Sequence, residues 1–292
     1  MAQQTGPLLI TGGSGYLGAR LVRVTQGRWP VVATFYQHPD LVPDVDTMLL
    51  DIRDAAATAR LIETVRPFAV IHTAVSMTPD EMDDVIIGGT ENVARAADRV
   101  AARLVHLSTD VAFDGKGSWY QEDDPLGPVH AYGRAKAAAE KVVAVIAKDY
   151  VIVRTSLITG FVPPDPRTAW VLDSIRQRRP ITLFTDELRC PIWVGDLAEA
   201  CLQLAESSYT GILHVAGPEA LSRYELGVLL AHLYGLDPAG ITPGSATKSG
   251  LSRPRDCTLD INRARRLLNV RWHTIGAAFL EETRTTLDEA RS

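Results

Sequence analysis

The sequence predicts an α/β protein, a doubly wound parallel sheet joined to a smaller C-terminal region that is interleaved with it in the chain. Three observations predict it. Short apolar runs of strand length alternate with longer segments of helical period through the first half. A glycine-rich turn separates the first such run from the first helical segment. After Arg154 the alternation loosens around a proline-dense loop. Strand–helix alternation implies right-handed crossovers between parallel strands.

Taken in order, residues 8–10 read as a strand, 15–25 as a helix, and 31–35 and 48–50 as the next strands. Asp54 is placed to cap a helix running to about Val65, ahead of a buried-looking strand at 68–71. One long helix is expected over 82–102, then a strand at 104–107, a helix over 131–147 and a strand at 150–153. Residues 160–166 carry Pro163, Pro164 and Pro166 and fit no helix or strand interior. Apolar runs at 192–194 and 212–215 lie between helices near 196–204 and 222–233. Residues 237–256, rich in Gly, Pro, Ser and Thr, read as a long surface excursion. The expected division is a dinucleotide-binding Rossmann domain over 1–158 and a mainly substrate-binding region over 159–292, with 190–216 returning to the first domain.

With 292 residues, 46% hydrophobic and 22% charged, the chain can bury a core without disulfides or a metal. A formal net charge of -5 argues against a nucleic-acid-binding surface. The clusters Arg176, Arg178, Arg179 and Arg263, Arg265, Arg266 read as helix ends or solvated faces. Cys190, Cys201 and Cys257 are far apart, with no metal-ligand pairing, and their odd count suits a reducing compartment. The start lacks a basic n-region, and no run approaches the ~18 apolar residues of a membrane span. The expectation is a cytoplasmic protein with neither nucleic acid nor membrane as partner.

Thr11-Gly12-Gly13-Ser14-Gly15-Tyr16-Leu17-Gly18 joins the first strand to the first helix. A dinucleotide site needs such a turn, with backbone brought close to a pyrophosphate and free N–H groups at a helix start. Gly12, Ser14, Gly15, Tyr16, Leu17 and Gly18 are therefore the expected cofactor contacts. The second strand runs out through Ala33-Thr34-Phe35-Tyr36-Gln37-His38, with no carboxylate before Asp40 to bond a ribose 2′-OH. No arginine stands in that stretch either. NADP(H) is the preferred cofactor on this reading, with NAD(H) as the alternative.

Tyr132 and Lys136, spaced by four at the start of a helix, share one face one turn apart. Reducing a carbonyl requires a proton donor for oxygen, and an ammonium beside a phenol favours its phenolate. Lys136 is also expected to hold the nicotinamide ribose. The fifth strand ends in Ser108-Thr109-Asp110, where Thr109 offers a hydroxyl to a substrate oxygen. Ser108 and Asp110 fit loop-backbone partners as well as a site.

With these elements in hand, the chain resembles the extended short-chain dehydrogenase/reductases, and within them the dTDP-4-dehydrorhamnose reductase branch. Ser-Thr-Asp-x-x-Phe-Asp-Gly at 108–115 is the more specific mark. Arg154-Thr155-Ser156 with Gly160, Pro191 with Asp196-Leu197-Ala198, residues 211–217, and Arg253-Pro254 before Leu259-Asp260 extend the resemblance over nearly the whole chain. It implies that Asp51 and Ile52 contact the adenine, that His72, Thr73 and Ala74 line the nicotinamide side, and that Thr109, Tyr132 and Lys136 are catalytic. Asp110, Arg189 and Arg253 are the substrate-binding candidates, the two arginines nearest a substrate pyrophosphate. The rival reading has both arginines bracing backbone or pairing with Asp186 and Asp256.

The chain departs from the branch at Ile86, Val111 and Leu157, where the family pattern has asparagine, tyrosine and an aromatic residue. Arg189 before Cys190-Pro191 resembles instead a regulatory branch that binds NADP(H) and partners methionine adenosyltransferase. The expected function is NADP(H)-dependent reduction of a carbonyl on a nucleotide-linked sugar. An epimerase, or a reductase of another small carbonyl, and a non-catalytic NADP(H)-binding regulatory subunit are the alternatives. The helices at 82–102 and 131–147 are long enough to pair across a two-fold axis, which makes a homodimer a candidate state.

Overall fold

Seven parallel strands make the central sheet of the computed structural model, which describes residues 6–38 and 45–289. Residues 1–5 and Asp40, both used in reading the sequence, lie outside the described residues. The elements run β1 (Leu8–Thr11), α1 (Tyr16–Thr25), β2 (Val31–Phe35), β3 (Asp46–Leu49), α2 (Ala55–Val65), β4 (Ala69–His72), α3 (Thr90–Arg99) and β5 (Arg103–Thr109). Then follow α4 (Ala131–Ile146), β6 (Tyr150–Thr155), β7 (Ile158–Thr159), α5 (Pro166–Arg176), β8 (Ile181–Phe184), β9 (Leu188–Arg189) and β10 (Ile192–Trp193). The chain finishes with α6 (Val194–Glu206), β11 (Gly211–His214), β12 (Leu221–Ser222), α7 (Arg223–Leu233), β13 (Ile241–Gly244), α8 (Asn262–Leu267) and α9 (Ile275–Glu289).

The sheet order is β11-β6-β5-β4-β1-β2-β3. Strand β1 lies between β4 and β2, so the winding reverses there, and the crevice at that reversal is where open α/β sheets take ligands. Helices cover both faces, which is why β1, β4 and β5 are buried along their whole lengths, although β5 also carries Arg103, His106, Ser108 and Thr109. Leu17, Leu21, Leu197 and Cys201 of α1 and α6 pack on one face. Ile62, Val93, Ala97 and Val143 of α2, α3 and α4 pack on the other. Asp54 caps α2 by accepting from the Ala57 N–H at 2.9 Å.

Two expectations needed revision. The expected helix over 82–102 opens instead with a π-helical turn, Asp84–Gly89, before α3 begins. Gly88 and Gly89 fall in that turn, and Ile52 occupies the space a side chain on Gly89 would need. The surface excursion over 237–256 also contains a strand, since β13 pairs in parallel with β8, Ile241 opposite Ile181. Ile241 is buried with Val171, Leu183 and Ala231. A single apolar residue in a polar run is too weak a signal to predict a strand.

Helix α6 packs on α1, and β11 pairs with β6 as the outermost strand of the sheet. All three cysteines are buried and unpaired. Among the described residues no helix is long and apolar enough to cross a membrane.

Candidate active site

The turn after β1 is shaped by close approaches that only glycine permits. Gly12 has φ +75°, and a Cβ there would come within 2.8 Å of the Ala74 backbone. The Gly12 carbonyl accepts from the Gly15 N–H at 2.9 Å, and a side chain on Gly18 would collide with that carbonyl. Gly15, Tyr16, Leu17, Gly18 and Thr73 line one end of a cavity of about 990 Å³. An open backbone cradle at a helix start suits a dinucleotide pyrophosphate. Ser14 donates to the Gln37 carbonyl at 3.1 Å, and Tyr16 donates to the Pro163 carbonyl at 2.9 Å. Gly12, Ser14, Asp51, Ile52 and Ala74 are not among the residues lining the cavity.

The sequence reading found no arginine at the end of β2, and the structure supplies one from the turn that follows the neighbouring strand β3. Arg53 donates to the Tyr36 hydroxyl at 3.0 Å, and its guanidinium carbon sits 5.3 Å from that ring's centre. It also grips Asp51 through both carboxylate oxygens and reaches Glu81 at 3.3 Å. That pairing holds the Asp51 carboxyl below its ordinary value. The available signal was sheet adjacency: β3 lies beside β2, so a residue just past its end faces the stretch after Phe35.

At the far side of the crevice β5 ends on Thr109 and α4 begins with Tyr132 and Lys136. Thr109 donates to Asp110 at 3.2 Å and accepts from the Val111 N–H at 3.3 Å. Gly133 lets α4 sit against this loop, because a Cβ there would strike the Val111 carbonyl. His130 caps α4 by accepting the Gly133 N–H at its Nδ1, 3.1 Å away. Burial and the Asp110 charge push Tyr132 up to about 12, against smaller opposing effects of Arg167 and Thr109. Tyr132 thus keeps its proton at neutral pH. Lys136 donates to the Leu107 carbonyl at 2.7 Å, and burial lowers its pKa to about 8 although Glu140 favours its charge.

Glu140 escaped the sequence reading, although it continues the spacing of four from Tyr132 and Lys136. It forms a buried pair with Arg154, whose Nη2 approaches to 2.8 Å, and accepts from Ser108. Ser108 therefore bonds a side chain rather than loop backbone. Ile86 packs in a small apolar cluster with Met82, Ala135 and Ala139, between the π-helical turn and α4. Val111 and Leu157 line the cavity.

Next to Thr109, Asp110 accepts from Ser156 at 2.6 Å, and burial raises its pKa against the pull of Arg189. Arg189 corrects an expectation. It lines the cavity, yet its Nη1 donates to the carbonyls of Leu188 and Arg255 and its Nη2 to Glu187 and the Pro254 carbonyl. Its Nε faces Asp110 at 3.7 Å. With every N–H so directed, Arg189 braces two loops and has no donor left for a pyrophosphate. The braced groups differ from the expected Asp186, which instead accepts from Ser245 and the Ala246 N–H. Arg253 pairs with Glu187 at 3.3 Å, lies over the Phe184 ring, and keeps 47% of its side chain exposed. Arg167, Trp170 and Arg223, none singled out from sequence, line the same cavity.

Comparison with known proteins sets this geometry in a lineage. The model of the RmlD substrate binding domain family matches residues 6–285. Methionine adenosyltransferase 2 subunit beta of Xenopus tropicalis is 28% identical over 276 residues, covering 89% of this chain and 81% of that one. A dTDP-4-dehydrorhamnose reductase of Aggregatibacter actinomycetemcomitans is 29% identical over 244 residues, covering 76% of this chain and 77% of its own. A solved dTDP-4-dehydrorhamnose reductase from Bacillus anthracis, in complex with NADP, shares the fold. Its TM-score is 0.79 at 24% identity, over 94% of this chain and 98% of that one.

Proposed function

The chain belongs to the RmlD substrate binding domain family, and from that premise we propose that it is an NADP(H)-dependent reductase of a carbonyl on a nucleotide-linked sugar. The observation that carries the reading is the convergence of Thr109, Tyr132 and Lys136 on one cavity that begins at the glycine turn. The dinucleotide would lie along Gly15–Gly18 and Thr73, with Lys136 on its ribose, and when bound it supplies hydride to the carbonyl carbon. Tyr132 gives its phenolic proton to the carbonyl oxygen. Thr109 orients that oxygen by turning to it the one hydroxyl proton that otherwise goes to Asp110. Lys136 stabilises the negative charge that Tyr132 acquires. NADP(H) is favoured by Arg53, a cation beside the stretch where a 2′-phosphate would fall, though Asp51 and Glu81 compete for it. On this reading residues 159–292 mainly form the substrate side.

The test is NADPH oxidation with a dTDP-linked 4-keto-6-deoxy sugar. Tyr132→Phe should lower turnover by roughly two to four orders of magnitude and leave NADPH affinity nearly unchanged. Near-normal turnover would remove Tyr132 from the mechanism.

The regulatory alternative is favoured by the similarity to methionine adenosyltransferase 2 subunit beta. It requires a partner protein, and copurification without turnover of any keto sugar would select it. We also infer a cytoplasmic protein, since three free buried thiols suit a reducing compartment. A homodimer would have to use helix faces that α3 and α4 leave after packing on each other, where Val145 is 86% exposed.

A further inference from the structure

His130 stands at the start of α4 and lines the cavity beside Tyr132, yet the reaction proposed above gives it no part. Its Nδ1 accepts the Gly133 N–H at 3.1 Å and so caps the helix. Ser, Thr, Asp and Asn are the residues that usually do this, each with a shorter side chain. Capping alone therefore leaves most of the imidazole unexplained.

The cap fixes what the ring can offer. A backbone N–H only donates, so Nδ1 must carry a lone pair and the ring proton must sit on Nε2. Turning the ring over would set a carbon against the N–H and leave the helix start uncapped. Burial disfavours a second proton, although a bond to its own backbone favours one, and the charges of Arg189, Arg253 and Arg134 disfavour it further. The positive end of α4 acts in the same sense. His130 is thus a neutral ring with one N–H to give. It is half-buried, and among the described residues its single side-chain hydrogen bond is the one through Nδ1. Cations nearby are already engaged: Lys136 with the Leu107 carbonyl, Arg189 with Glu187 and the carbonyls around it, and Arg253 with Glu187. The His130 and Tyr132 rings lie 6.4 Å apart between centres and 27° from parallel, so the two side chains stand together on the cavity wall.

We propose that His130 is a specificity-determining donor, its Nε2–H bonding the hydroxyl on the carbon next to the carbonyl that Tyr132 protonates. The proposal rests on the reductase reading and narrows its substrate to keto sugars with an oxygen substituent beside the keto group. Tyr132 takes the keto oxygen and His130 takes its neighbour, which stops the sugar from sliding along the wall.

Reduction of a dTDP-linked 4-keto-6-deoxy sugar by NADPH tests it. His130→Asn keeps an acceptor for the Gly133 N–H but reaches less far, so thermal midpoint and NADPH affinity should match wild type. KM should rise roughly five- to tenfold, the size of one lost hydrogen bond. The turnover number should change little, because the contact is made equally before and during reaction. With the 3-deoxy analogue of the sugar, wild type and His130→Asn should give the same KM. A rise in KM of equal size for both sugars would show that the 3-hydroxyl is not the partner and overturn the contact. In nitrogen NMR the ring signals lost in His130→Asn should show Nδ1 bare and Nε2 protonated at pH 7, and the opposite tautomer would also overturn it. Turnover separates this from the parent reading. If the wild type reduces no such sugar, the reductase assignment falls and takes the contact with it. If it does, and His130→Asn leaves KM unaltered, the assignment stands and His130 is a cap alone.

Discussion

On the proposed reaction Tyr132 and Lys136 divide the work of proton transfer, because burial acts on them in opposite senses. Burial raises the phenol to about 12, keeping its proton available, and lowers the ammonium to about 8, making it the titrating member. Lys136 supports the reaction in its charged form, so kcat/KM should hold at neutral pH and fall as pH rises through about 8. Glu140 favours that charge, so Glu140→Gln should shift the falling limb to lower pH. A profile flat to pH 10 would detach Lys136 from the chemistry. Arg53 makes a second expectation at this scale. If it meets a 2′-phosphate, Arg53→Ala should weaken NADPH by on the order of tenfold relative to NADH, read by cofactor fluorescence. Equal losses for both would leave Arg53 a partner of Asp51 alone.

Helix α4 serves the site and the core with one spacing, because Tyr132, Lys136 and Glu140 follow each other at successive turns. The last of them meets Arg154 of β6 with both side chains almost wholly buried. Arg154 also donates to the Glu122 carbonyl at 3.0 Å and lies over the Phe113 ring. Removing one member leaves the other charged and dry, so Glu140→Ala should cost about 3–5 kcal/mol. The urea midpoint should fall with the slope unchanged. A double replacement by Leu and Met of similar bulk should cost much less, since no orphan charge remains. If the single variant loses under about 1 kcal/mol, water must reach Arg154.

At the scale of the whole chain, what was legible in the sequence is what depends on local pattern. Apolar runs marked β1 and β4, the mainly apolar stretch 104–107 marked β5, and Asp54 marked the start of α2. Tyr132 and Lys136 were found because helical spacing places them on one face. What escaped depends on tertiary neighbours: Arg53 beside Tyr36 needs the sheet order, and the neutralisation of Arg189 needs Asp110 and the 254–255 loop brought to its own segment. Strand β13 pairs with β8 over four residues, yet its only apolar signal in the sequence is Ile241.

The sheet order also bears on how the protein can be divided. After leaving for β7 and α5 the chain comes back through α6 and β11, which cover α1 and complete the edge beside β6. A fragment ending at residue 158 would therefore expose Leu17, Leu21 and the open side of β6, and we expect it to bind ANS and lack a cooperative thermal transition. Sharp, reversible melting of that fragment would contradict this. For the evolution of specificity the outcome is that substrate preference is not a detachable cassette. A single crossover between relatives at that boundary would splice one parent's sheet to another's edge strand. On the proposed division of the chain, new preferences would instead arise by exchange of the segments carried between β7 and β10 and after β11, which leave the shared sheet intact.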